Sequence, residues 1–191
     1  MKILAILDDK NQSTFYLYSQ KENSLKRMAP SLKIENDKIG SLFFNMELSE
    51  FLKEINNIFP YDRYIVIPKQ QFVEQLLEGT EVIEVSNPSD FTHNGSYFQK
   101  GNLKLSQEEL VDFFEFNEDK DTFTRQEHVF RLATQKVIKE RNPLNIHKEI
   151  KRMLSIMKTD ITLPSIMKMS THYVTGTKQK IKKEVILNII N

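Results

Sequence analysis

Residues 64–85 read YIVIPKQQFVEQLLEGTEVIEV, and this stretch decides the fold class. Tyr64 to Ile67 is an apolar run of strand length. Pro68 suits the opening of a helix, because its fixed φ is already helical and its missing N–H is not needed there. Phe72, Val73, Leu76 and Leu77 then recur at helical spacing, and Gly79 is a natural stop. TEVIEV returns as a second strand. Strand, helix and strand in such quick succession predict a layered architecture in which a helix covers a sheet.

The flanking sequence fits that frame. MKILAILDD and STFYLYSQ read as two strands of a hairpin joined by the turn Asp8-Asp9-Lys10-Asn11. Residues 21–40 are polar and irregular, with Pro30 and Asn36-Asp37 as breakers. Leu48, Phe51, Leu52, Ile55, Ile58 and Phe59 mark an amphipathic helix that Pro60 ends. Downstream, Asn87-Pro88-Ser89-Asp90 and His93-Asn94-Gly95 are turn signals. Ser106-Gln107-Glu108-Glu109 is a capping box ahead of Leu110, Val111, Phe113 and Phe114.

Thr124-Arg125-Gln126-Glu127 reads as a second capping box, opening a helix that runs to Asn142-Pro143. A further helix carries Ile146, Ile150, Met153, Leu154 and Met157, and a short one starts at Pro164. VILNII, near the end, reads as an edge strand. The expectation is an α/β (α+β) fold: one layered domain over residues 1–191, with a central mixed sheet flanked by helices. The long connections expected at 20–42 and 86–104 are where sites tend to lie.

Charge narrows the function classes. With 27 Lys+Arg against 26 Asp+Glu, no bulk electrostatic pull favours nucleic acid or an anionic membrane, and no helix-turn-helix with a basic face stands out. The absence of cysteine excludes disulfides, thiolate metal sites and a Cys nucleophile. No apolar run approaches the ~20 residues that a membrane-spanning helix needs.

The acidic connector FFEFNEDKDTFTRQE, residues 113–127, imitates a calcium loop, with Asn117, Asp119 and Asp121 at the first, third and fifth positions. The pattern fails at Thr122, where the sharp turn needs glycine, and at His128, where a bidentate glutamate is required. Asp119 and Asp121 are candidates for a looser Mg²⁺ site, since Mg²⁺ takes much of its shell from water and substrate phosphate. His93, His128, His147 and His172 lie far apart with no i, i+4 pair, so each reads as a surface or capping residue and zinc is not expected. The run Lys178, Lys180, Lys182, Lys183 reads as a solvated face, and Met153, Met157, Met167 and Met169 as core filling.

Taken in order, the parts resemble the LytR-CpsA-Psr family of bacterial cell-envelope domains. YIVI, FVEQLLEG and TEVIEV look like that family's strand, glycine-ended helix and second strand. DFTHNGSYF looks like its loop D-[mf]-x-y-x-D-x-x-G, and LKLSQEELVDFFEFNEDKDTFTRQ its L-[ns]-G-e-x-a-L-x-y-v-R-f-R with the acidic turn that ends in R-Q. TDITLPSIM resembles the family's T-[dn]-l-s segment, and KILAILDDKNQSTFYLYS its opening hairpin.

The resemblance implies an apolar tunnel for a polyprenyl chain, with arginines and Mg²⁺ at its mouth gripping a phosphate or pyrophosphate. The chemistry implied is glycopolymer transfer to peptidoglycan, in which planar guanidinium forks and the metal stabilise charge on the transferring group. Carried over by position, Arg125 is the catalytic candidate and Asp90 and Gln126 the substrate-binding candidates, while Asp119 and Asp121 of the acidic connector stay the metal candidates. The location implied is the cell envelope, outside the membrane if an anchor precedes Met1, and the cytoplasm otherwise.

The sequence departs from the pattern at the mouth. Phe114-Glu115-Phe116-Asn117 stands where the family has v-R-f-R, and Ser19-Gln20-Lys21-Glu22-Asn23 where it has S-I-P-R-D. A phosphate site without these guanidinium groups loses charge-assisted hydrogen bonds worth roughly 1.5–3 kcal/mol each. The expectation is therefore a divergent relative that binds a polyprenyl-phosphate-linked substrate with weak or lost phosphotransferase activity. The alternative is a non-catalytic regulatory or protein-interaction module on the same scaffold, without a lipid tunnel.

Overall fold

The computed structural model describes residues 1–9, 13–29, 31–78, 82–116, 121–139, 143–165 and 181–187. In chain order the elements are β1 (Lys2–Asp8), β2 (Thr14–Ser19), β3 (Ser24–Met28), β4 (Lys33–Ile34), β5 (Asp37–Lys38), α1 (Ile39–Asn45), α2 (Leu48–Ile58), β6 (Arg63–Pro68) and α3 (Lys69–Leu77). They continue with β7 (Ile83–Asn87), β8 (Phe91–His93), β9 (Ser96–Phe98), β10 (Gly101–Leu105), α4 (Gln107–Glu115), α5 (Thr122–Lys139), α6 (Pro143–Ser155), β11 (Lys158–Thr159) and β12 (Lys182–Ile186). The α/β expectation holds. The chain divides into two compact units, one made of residues 1–67 and 157–191, the other of residues 68–156.

The first unit is built on a six-stranded sheet in the order β11-β6-β1-β2-β3-β12. It is mixed: β1, β2 and β3 run antiparallel in succession, whereas β12 joins β3 in parallel. The N-terminal hairpin is thus as the sequence predicts, and the C-terminal strand takes an edge. Residues 21–40 are not the irregular connection expected, because they hold β3, the small β4–β5 ladder and the start of α1. Helix α2 turns Phe51 and Ile55, four residues apart, into the core. Pro60 follows its last turn, where the Phe59 N–H still bonds the Ile55 carbonyl at 2.7 Å.

That core is filled by side chains from both layers. Leu4, Ile6, Phe15, Met28 and Val66 of the sheet meet Ile39, Phe51 and Ile55 of the helices. Phe15, Phe43 and Phe51 pack as a ring triad with centroids 5.0–5.7 Å apart, within the range where edge-on and tilted aromatic pairs attract. Truncating the fully buried Phe51 to alanine would cost about 3–5 kcal/mol on this packing.

The second unit carries the two-stranded β7–β10 ladder, the β8–β9 hairpin and helices α3 to α6. Ser106 caps α4 as the sequence predicts. Its hydroxyl accepts from the Glu109 N–H at 3.4 Å, and the Glu109 carboxylate accepts from the Ser106 N–H at 2.8 Å. The second capping box does not form where expected. Helix α5 opens at Thr122, and the Arg125 N–H bonds the Asp121 carbonyl at 3.0 Å, so Thr124 already lies inside the first turn. Two phenylalanine clusters hold the unit together, Phe72 with Phe114 and Phe130, and Phe91 with Phe98, Phe113 and Phe116.

Candidate functional site

Of the site residues expected from sequence, Arg125 and Gln126 lie near the start of α5, Asp121 just before it and Asp90 just before the β8–β9 hairpin, all within the second unit. Asn94 and Gly95 both adopt positive φ, 48° and 83°, and form the two-residue turn that joins His93 to its register partner Ser96. Paired positive φ values are what a twisted hairpin demands, and Asn-Gly supplies them at least steric cost. Phe91 and Phe98 face each other across the hairpin with stacked rings 4.7 Å apart.

Arg125 is buried completely. Its Nη2 donates to the Phe116 carbonyl at 2.9 Å and to Thr122 Oγ1 at 3.4 Å. The guanidinium carbon sits 4.5 Å from the centre of the Phe91 ring and 4.9 Å from that of Phe116. Gln126 beside it is also buried, with Nε2 donating to the Phe114 carbonyl at 3.1 Å. Phe114 lies in the last turn of α4 and Phe116 is its C-cap, where carbonyls have no partner within the helix. The Arg-Gln pair of α5 therefore satisfies the C-terminal carbonyls of α4, and the planar guanidinium adds cation–π attraction to two rings. The geometry gives both residues a packing role. Their roles toward substrate rest on the family resemblance.

Asp90 is exposed, and its Oδ1 accepts from the Lys100 backbone N–H at 2.6 Å. Of the two metal candidates, Asp119 lies outside the described residues. Asp121 is half-buried and immediately precedes α5, where its backbone carbonyl accepts from the Arg125 N–H. Asn117, the first position of the calcium-loop imitation, also lies outside the described residues.

A different group of polar side chains does come together. His93, Asp112 and Glu115 each present a ligand atom, and these atoms lie within 4.8 Å of one another. Asp112 and Glu115 are three residues apart on α4 and so share a face. The Asn94 amide donates to Asp112 Oδ1 at 2.9 Å and the Ser96 hydroxyl to Oδ2 at 3.3 Å, which ties the hairpin turn to the helix. Glu115 Oε2 lies 3.8 Å from His93 Nε2, at the position where the family pattern has an arginine. Sequence reasoning passed over this group, although the Asp-x-x-Glu spacing on a capped helix and the His-Asn-Gly turn were both visible.

Elsewhere in this unit, His128 Nε2 accepts from the Ser86 backbone N–H at 3.2 Å. Burial holds its pKa below the usual histidine value, and the neighbouring Arg131 charge lowers it further.

The fold has known counterparts. TagV of B. subtilis matches 97% of this chain over 84% of its own, with a TM-score of 0.70 and 18% identity. A LytR-Csp2A-Psr enzyme from Actinomyces oris matches 99% of this chain over 80% of its own, with a TM-score of 0.67 and 12% identity. TagU of B. subtilis matches 97% over 83%, with a TM-score of 0.59 and 16% identity. At these identities the likeness is one of fold, and no curated protein matches the sequence. The LytR_cpsA_psr family model, however, spans residues 26–188, most of the chain. On that match, and with the fold in agreement, the chain belongs to the LytR_cpsA_psr family, whose members act in cell-envelope glycopolymer assembly.

Proposed function

We propose that this chain is a divergent family member that binds a polyprenyl-phosphate-linked substrate at the cell envelope and has weak or lost phosphotransferase activity. The observation that carries the loss of activity is the burial of Arg125, whose Nη2 is spent on the Phe116 carbonyl and Thr122. Glu115 stands where the family pattern places an arginine, so a carboxylate replaces one of the guanidinium groups that pattern offers a phosphate. A carboxylate in place of a guanidinium repels a phosphate where the arginine would attract it. Lipid binding is inferred from family membership.

A second reading, a regulatory or interaction module without lipid, is favoured by one observation. The space between the sheet and α1–α2 of the first unit is filled by Phe15, Phe43, Phe51, Leu4 and Ile6. One experiment separates the readings. The purified chain is titrated with polyprenyl pyrophosphate, and its transfer of a lipid-linked glycan to peptidoglycan is assayed in parallel. Saturable binding without transfer is the expected result. Transfer at rates typical of an active enzyme overturns the loss of activity, and an absence of binding turns the assignment to the second reading. Arg125→Ala serves as the internal check: it should destabilise the fold by about 3 kcal/mol or more, from the lost charged hydrogen bonds and ring contacts, with or without lipid present.

A further inference from the structure

We infer that His93, Asp112 and Glu115 form a binding site for a divalent transition-metal ion of the zinc or nickel type, fastening the β8–β9 hairpin to helix α4. The inference needs neither lipid nor phosphate, but it shares Glu115 with the proposed function: an ion bound there would offset the charge that carboxylate turns toward a phosphate.

Three observations carry it. First, the three ligand atoms already lie within 4.8 Å of one another. Around a tetrahedral ion with bonds of about 2.0–2.1 Å, ligand atoms sit roughly 3.3 Å apart, so side-chain rotation of about an ångström closes the site. Second, the His93 side chain is 10% exposed, and its Nε2, fully buried, has no hydrogen-bond partner among the described residues. A buried ring nitrogen facing two carboxylates without a hydrogen bond is costly to leave so, and a metal ion would satisfy it. Third, the outer shell is built. Asn94 Nδ2 and Ser96 Oγ each donate to a different oxygen of Asp112, which orients the carboxylate while each oxygen keeps a lone pair for the ion.

The donor set chooses the metal. One imidazole nitrogen with two carboxylates suits zinc, nickel or copper, whereas Mg²⁺ prefers an octahedral shell of oxygens. Three protein ligands leave a fourth position for water. Glu115 and His93 are each partly exposed, which gives an ion a route in from solvent.

The test uses the whole chain, freed of metal by chelation. Zn²⁺, Ni²⁺ and Mg²⁺ are each titrated by calorimetry into the wild type, Glu115→Gln and Asp112→Asn. The expected result is one saturable Zn²⁺ or Ni²⁺ site per chain, weakened roughly tenfold or more in each variant, and no competition from Mg²⁺. Because a substitution at a buried residue can disturb folding, Co²⁺ is also added to the isotopically labelled wild type. Its paramagnetism should broaden the amide signals of residues 93–96 and 112–115 before any others. An absence of saturable binding, broadening centred on His128 or His147, or equal competition by Mg²⁺ would overturn the assignment.

Discussion

The Arg125 guanidinium lies against two phenyl rings and donates to the carbonyl end of a helix. Nothing in the letters R-Q distinguishes an arginine aimed at substrate from one aimed at the core. The helix that carries it also begins three residues earlier than the capping box suggests, with Asp121 and not Thr124 just ahead of its first turn. Among single residues, His128 carries a prediction of its own. Its folded pKa is lowered by burial first and by Arg131 second, so the unfolded chain binds this proton at a higher pH than the native one. Stability is then fully present above the unfolded histidine value, ~6.5, and is lost as pH falls through the lowered folded pKa. Melting temperatures measured between pH 7.5 and 5 should show that loss, and His128→Gln should reduce its slope. An unchanged slope in the variant would refute the assignment.

Among elements, those with local signals were legible and those held by distant partners were not. The β1–β2 hairpin, α2 and α4 each announced themselves through alternation, helical spacing or a capping box. Strand β3, SLKRM, has two basic residues in its middle and no alternation. It is a strand because β2 flanks it on one side and residues 182–186 on the other. Helix α1 opens after Lys38 with no side-chain cap, so no start signal preceded it. The metal cluster was hidden for a related reason, since His93 meets Asp112 and Glu115 only once the Asn94-Gly95 turn is docked. The capping box of α4 allows a quantitative check. Ser106→Ala removes the acceptor for the Glu109 N–H, a loss of about 1 kcal/mol. For a chain of this size the melting temperature should fall by about 2–4 °C, and Ser106→Asp should restore it. A variant as stable as the parent would show that the cap contributes nothing to stability.

At the level of the whole molecule, the chain leaves its first unit at residue 67 and comes back at residue 157, so that unit depends on sequence from both ends. Composition and charge could suggest one core, but they could not show that β11 and β12 return to edge the sheet that β1 begins. The returning strands are tied in closely. Thr159 Oγ1 donates to the Tyr64 carbonyl at 2.6 Å, and Asp160 Oδ1 accepts from the Tyr64 N–H at 2.8 Å. At the other edge the Lys182 N–H bonds the Asn23 carbonyl and the Ala29 N–H bonds the Ile186 carbonyl, each at 2.9 Å, on either end of the parallel β3–β12 ladder. Ending the chain at residue 180 would strip this ladder and leave the outer edge of β3 unpaired. Net loss of several backbone hydrogen bonds, at roughly 1 kcal/mol each, together with the packing of Ile186 should lower stability by about 3 kcal/mol or more. An open edge is also a template for pairing with another chain, and the charges of Lys26 and Arg27 offer limited protection because Arg27 is buried. The shortened chain should therefore melt earlier and elute from size exclusion as larger species than the 191-residue chain at the same concentration. Equal melting temperature and equal elution would mean that β12 is dispensable to the sheet.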